Sequence, residues 1–306
     1  MSIDLEQLSK GLKYHEDAGV DAVRADMDVL RRLDDVAESE EAKWRNLGCG
    51  SIILLILAMV GMAASGMLDS SPVVAVPTII VFVGATIFCF VQKSRKGRLN
   101  LTNRRYELVD GLLHLLKVDM SKDAVVHVAI DFNRSDSKEK FVRNGQANTW
   151  KVKFYEDPWL ELKGRLLDGT SFQLGITDRT QHRSKTKRSA SGKLKTKSKS
   201  KRSSVAVLRL KIKPRKYPGL EAYAEDAEGA LQLPTSAMGK DMFVDENGLV
   251  LKVLLNDSWK ANARKHHEEA VVGDGIDITA RMFLSCYQVL NLAKTVAKRG
   301  GAEGGA

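Results

Sequence analysis

The sequence predicts an α+β membrane protein. Its parts are a two-helix transmembrane hairpin, an antiparallel β-rich cytoplasmic domain with a long basic β-hairpin arm, and helical N- and C-terminal segments. Three observations carry this prediction. Residues 47–68 and 70–92 are two adjacent runs without a charged side chain. After Leu99 the apolar period becomes two. Between Arg179 and Arg202, Lys and Arg alternate with Ser and Thr.

Residues 1–45 form an acidic helical segment in this reading. They hold twelve Asp or Glu against seven Lys or Arg. Val20, Val23, Met27 and Leu30 recur at spacings of three, four and three, an a/d-like stripe. Two heptads are too few for an isolated coiled coil, so the stripe is expected to pack on the protein's own soluble part.

Residues 46–92 follow as the hairpin, with helices over 47–68 and 72–92. The uncharged runs of 22 and 23 residues correspond to roughly 33 Å of helix each at ~1.5 Å per residue. A bilayer core is about 30 Å thick. The connector Asp69-Ser70-Ser71-Pro72 makes the helices antiparallel and carries no base. Lys43 and Arg45 precede the first run, and Lys93, Arg95, Lys96, Arg98, Arg104 and Arg105 follow the second. The positive-inside rule then places both termini in the cytoplasm. Neither run contains an ionisable Asp, Glu, Lys, Arg or His, which favours an anchor over a transport path.

The β-rich domain is expected over 99–217. Asp110-Gly111, between Tyr106–Val109 and Leu112–Leu115, is a tight-hairpin signal. Val126, Val128, Ile130 and Phe132 alternate with polar or small residues, as do Trp150, Val152 and Phe154. Leu160, Leu162 and Leu166 lead to a turn at Asp168-Gly169. Phe172, Leu174 and Ile176 follow, and later Ala206, Leu208, Leu210 and Ile212. Six or more strands with one apolar face predict a small barrel or sandwich.

The arm, residues 179–202, permits a register prediction. Even positions face the core on both sides of it, so even must oppose even in an antiparallel pair. The odd positions then share the other face: Arg179, Arg183, Lys185 and Lys187 outbound, and Lys193, Lys195, Lys197, Lys199 and Lys201 on the return. The turn falls near Ser189-Ala190-Ser191-Gly192. These nine cations are the candidate anion-binding site, for lipid headgroups or phosphate. Like charges opposed across a ladder are destabilising. With Leu194 its one apolar residue of size, the isolated arm is expected to need an anionic partner to order.

Residues 218–299 read as an α+β region. A hairpin over Met242–Leu255 turns at Glu246-Asn247-Gly248. One helix is expected over 258–272 and another over 279–298, before a flexible tail at 300–306. Phe283, Cys286, Tyr287, Leu290, Ala293 and Val296 form the apolar stripe of the last helix.

Chemistry is sparse. Cys49, Cys89 and Cys286 give neither a disulfide framework nor a CxxC pair and fit a reducing compartment. His266, His267, Glu268 and Glu269 are metal-like but lack a third ligand in sequence. Asp131, Asn133 and Ser135 open like a calcium loop, but Asp136 stands where Gly is needed and Val142 where Glu closes it. No phosphate-binding glycine loop or nucleophile elbow occurs. The expectation is therefore a non-enzymatic membrane-anchored scaffold or adaptor, without cofactor or metal. Its partners would be the membrane, acidic lipid headgroups or an acidic protein surface. The alternatives are a membrane-tethered nucleic-acid binder and a subunit of an oligomeric channel or transport complex, with homo-oligomerisation open.

Overall fold

The structure is a computed structural model that describes residues 3, 5–65, 72–188, 192–225, 227–262 and 273–303. In chain order the elements are α1 (Leu5–Gly11), β1 (Lys13–Gly19), α2 (Val20–Ala64), α3 (Pro72–Lys96), α4 (Asn103–Leu116), β2 (Val125–Asp131), β3 (Phe141–Ala147) and β4 (Trp150–Arg165). Then come β5 (Ser171–Arg188), β6 (Leu194–Lys211), β7 (Ala237–Asp245), β8 (Gly248–Leu255) and α5 (Gly275–Glu303). Two compact units result: residues 1–27 with 102–306, and residues 28–101. The fold is α+β, with a helical N-terminal region and an antiparallel sheet.

In the first unit all eight strands form one sheet, in the order β1-β2-β4-β5-β6-β8-β7, with β3 on the free half of β4. Every pairing is antiparallel. The sheet is open, so the expected barrel or sandwich is not realised. Its one apolar face is instead closed by helices. Val128, Leu162, Leu174, Leu208 and Leu251 are buried on that face. Against it pack Val23 and Met27 of α2, Leu108 and Leu112 of α4, and Met282, Cys286 and Leu290 of α5, all buried. Phe283 of α5 meets Phe172 of β5 edge to face at 5.3 Å. Burial raises the Cys286 thiol pKa to about 12.

Three predicted elements are corrected here. Tyr106–Leu115 is not a hairpin but the body of α4, which buries Tyr106, Leu108, Val109, Leu112, Leu113 and Leu116. Gly111 is a contact glycine: a Cβ built there would lie 2.2 Å from Cδ1 of Ile276 on α5. Residues 13–19 are not helical but form β1, paired with β2 from Lys13–Asp131 to Gly19–Val125. Of the helix expected over 258–272, residues 258–262 are not helical and 263–272 lie outside the described residues, with His266, His267, Glu268 and Glu269. The hairpin at Glu246-Asn247 forms as β7–β8, and β8 pairs with β6. Residues on either side of 217 thus share one sheet.

In the second unit, α2 and α3 contain two helices long and apolar enough to cross a membrane. They meet through Gly48, whose ideal Cβ would sit 3.2 Å from the Phe90 ring. Trp44 meets Phe88 edge to face at 5.8 Å, and the Ser51 and Thr86 hydroxyls are 2.8 Å apart. Gly61 faces open space. Glu41 accepts a hydrogen bond from Asn100 at 2.9 Å and lies 3.7 Å from the Lys93 ammonium.

Candidate functional site

The arm continues the two central strands past the end of β8. β5 and β6 each run 18 residues, roughly 59 Å at ~3.3 Å per residue. β8 covers β6 over Ser204–Lys211. The register is even on even, as the alternation requires: Phe172 opposes Leu210, Ile176 opposes Ala206 and Thr186 opposes Thr196.

The odd face collects the cations. Arg183 stands opposite Lys199, Lys185 opposite Lys197 and Lys187 opposite Lys195, while Lys201 opposes Gln181. Arg179 opposes Ser203 and is engaged by Glu156 at 3.0 Å. Lys193 precedes β6, and residues 189–191 of the expected turn lie outside the described residues. On the even face the Thr186 and Thr196 hydroxyls are 3.2 Å apart, and Ser184 opposes Ser198.

A bare hairpin of this composition would repel itself, and β4 relieves part of that. Its Lys151–Pro158 half pairs with β5, and β3 adds a fourth strand. Between Pro158 and Leu160 the register of β4 shifts by one, leaving Trp159 as the extra residue. Beyond that bulge the even residues Trp150, Val152 and Phe154 share the face of Arg183, Lys199 and Arg143. Lys199 Nζ lies 5.8 Å from the Trp150 ring centre, and the Arg143 guanidinium 4.9 Å from that of Phe154. Arg183 donates to Gln181 at 2.6 Å, and Lys185 donates to the Thr149 hydroxyl. Partial desolvation and the Lys187 charge hold the Lys185 amine below the ordinary lysine pKa.

In the sequence Trp150 and Phe154 read as part of an apolar strand face and, like Arg143, show no connection with the arm, because face membership inverts at the bulge. Pro158 inside an alternating run was the available signal.

A second basic cluster, at the arm's base, is largely neutralised from within. Arg105 and Asp157 are buried and 2.7 Å apart. Lys140 bridges Asp157 at 2.7 Å and Asp131 at 3.0 Å. Arg104 meets Asp178 at 2.6 Å. Ser204 donates to Asp178 at 2.6 Å and accepts from Trp259 Nε1 at 2.9 Å. This network clamps the start of α4 to the sheet. Asp131 therefore serves an ion pair, and its carboxyl sits below its ordinary pKa. Burial would raise it, but hydrogen bonds from Asn133 and Lys140 outweigh burial.

Comparison with protein-family models, with curated proteins and with solved structures gives no match.

Proposed function

We propose that this chain is a non-enzymatic membrane-anchored scaffold or adaptor, with both termini on the cytoplasmic side. Its cationic sheet extension binds acidic lipid headgroups or an acidic protein surface. The observation that carries the reading is the row Arg183, Lys185, Lys187, Lys195, Lys197, Lys199 and Lys201 on one face of β5–β6. Three like-charged pairs stand directly opposed, at a cost of several tenths of a kcal/mol each. A polyanion removes that cost, and each base near an acidic leaflet gains ~1 kcal/mol. The membrane part of the reading is supported by the apolar surface of α2 and α3. Ile53, Ile56, Leu57, Val60, Ile80, Val81 and Ile87 are all more than half exposed. So much contiguous apolar surface calls for a nonpolar environment.

Trp150 and Phe154 beside the cations favour a second reading, single-stranded nucleic acid, in which bases stack on aromatic rings. One experiment separates the two. The full chain in neutral-lipid nanodiscs is mixed with vesicles containing phosphatidylserine, with neutral vesicles, or with single-stranded DNA. We expect selective capture by the acidic vesicles. Changing Lys195, Lys197, Lys199 and Lys201 together to Ser should weaken it by about two to three orders of magnitude, since four bases forfeit on the order of 4 kcal/mol. Equal capture of the variant would overturn the proposal. DNA retention without lipid preference, lost in Trp150→Ala, would establish the second reading.

A further inference from the structure

The face of the sheet opposite the core carries a separate cluster at the β1–β2 edge. His15 and Asp17 are two residues apart on β1 and so point to the same side. Asp17 stands opposite His127 of β2, and His15 stands opposite Ala129. The small Ala129 side chain leaves the space in which the two imidazoles approach. Their rings meet edge to face with centroids 4.8 Å apart. His127 Nδ1 is 2.8 Å from Asp17 Oδ1. One ligating atom from each of the three residues lies within 4.8 Å of the others.

We propose that His15, Asp17 and His127 bind one divalent transition-metal ion of the zinc class. Two neutral imidazoles and one carboxylate form a borderline donor set that suits such an ion and is too poor in oxygen for calcium or magnesium. Zinc holds these donors at about 2.0–2.2 Å, which puts tetrahedral ligand atoms about 3.3 Å apart. The His127–Asp17 pair has to open by about half an ångström, and the ligand atoms, up to 4.8 Å apart, close by as much as about 1.5 Å, through side-chain rotation at the exposed His15.

The surroundings support the assignment. When Nδ1 of His127 ligates, its Nε2–H faces Glu161 Oε2, 3.9 Å away on β4. A carboxylate behind a ligating histidine fixes its tautomer and raises its basicity. Glu161 is itself held, by Lys163 at 2.7 Å and by Gln173 at 2.8 Å. Three protein ligands leave a fourth position open. Beside it runs an open groove of about 630 Å³, lined by Asp17, His127, Lys163, Gln173, Arg209 and Lys211 among others. Its three cations favour an anionic or water-derived fourth ligand.

The test is metal titration of the full chain in detergent micelles against a chromophoric chelator, with Co²⁺ as spectroscopic stand-in. We expect one equivalent of Zn²⁺ to bind, and Co²⁺ to give the visible d–d bands of a four- or five-coordinate site without thiolate charge transfer. His15→Gln, Asp17→Asn and His127→Gln should each lower affinity more than about tenfold. Glu161→Gln should lower it about 10- to 100-fold while leaving the Co²⁺ band shape intact, as expected of a group that orients a ligand. His266→Gln/His267→Gln should leave both readouts unchanged, which excludes the other histidine pair. His15, Asp17 and Glu161 lie on the surface, so thermal unfolding of their variants without metal should match wild type. No binding by the wild type, or undiminished binding by His15→Gln and Asp17→Asn, would overturn the proposal.

Discussion

Asp168 shows how much one turn residue can organise. Its carboxylate accepts from the Thr170 N–H and hydroxyl, both at 2.8 Å. It also accepts from Tyr217 at 3.1 Å and from Tyr287 at 3.0 Å. One group thus ties the β4–β5 turn to the segment after β6 and to α5. Burial alone would raise its pKa, but these hydrogen bonds outweigh burial and hold it below the ordinary carboxylate value. The sign for stability follows. A carboxyl with a depressed folded pKa contributes fully above its unfolded value, about 3.9, and loses that contribution as pH falls through the folded value. Asp168→Asn keeps the shape and removes the charge. It should lower stability near neutral pH by about 1–3 kcal/mol and flatten the acid limb below about pH 4. Urea unfolding of the full chain in detergent from neutral to strongly acid pH measures both. An unchanged midpoint with an unchanged acid slope would refute this role.

At the scale of elements, α4 and α5 depend on a missing side chain. The Gly111→Ala change offers up to ~1 kcal/mol of helix propensity. It also drives a methyl group to within 2.2 Å of Ile276 Cδ1 and 3.0 Å of Cγ1. Overpacking of that kind costs typically 1–3 kcal/mol. The net expectation is a loss on the order of 1 kcal/mol, mostly restored when Ile276→Val removes the clashing Cδ1. A double-mutant cycle on denaturant midpoints checks the coupling, and a single variant more stable than wild type would show that propensity dominates. The same glycine explains a misreading. Asp-Gly between apolar runs is a turn signal only when no other element needs to approach the glycine, and Ile276 lies far away in sequence. The arm was legible for the converse reason. Its even-on-even register follows from alternation within β5 and β6 themselves, with core residues marking parity at both ends. β1 was not legible. On the core side Lys13–Gly19 places Tyr14, Glu16 and Ala18, a charge between one aromatic and one small residue, and its strand form comes from the edge of β2. Missing β1 meant missing His15 and Asp17 as neighbours of His127. The Trp159 bulge likewise hid Trp150 and Phe154 from the arm they brace.

For the whole molecule the deciding quantity is apolar surface. A soluble chain seldom exposes a contiguous apolar patch beyond a few hundred Å². Here Leu54, Ile56, Leu57 and Val60 on α2, and Ile80, Val81, Ile87 and Phe88 on α3, are each more than half exposed. Inserting such residues favours the bilayer by roughly 0.3–0.6 kcal/mol each. No ionisable Asp, Glu, Lys, Arg or His lies within 47–68 or 70–92 to oppose it. Bases flank the outer ends of the pair, Lys43 and Arg45 on one side and Lys93, Arg95 and Lys96 on the other, while Asp69 is the connector's one charge. Flipping the hairpin would move five bases across the membrane to the translocated side, against the positive-inside bias. On the proposed reading, an even number of crossings keeps the two termini on one side. Sealed inverted and right-side-out vesicles carrying the full chain, tagged at both ends, test this. Protease should remove both tags from inverted vesicles and neither from right-side-out ones. Cysteine placed at Ser70, in a background where Cys49 and Cys89 are Ser, should react with an impermeant maleimide only from the opposite side. Release of the protein by alkaline carbonate would show that the helices do not insert. Tags cleaved from opposite sides would mean a single crossing, which the β1–β2 pairing forbids because it joins residues 13–19 to the sheet that follows the hairpin.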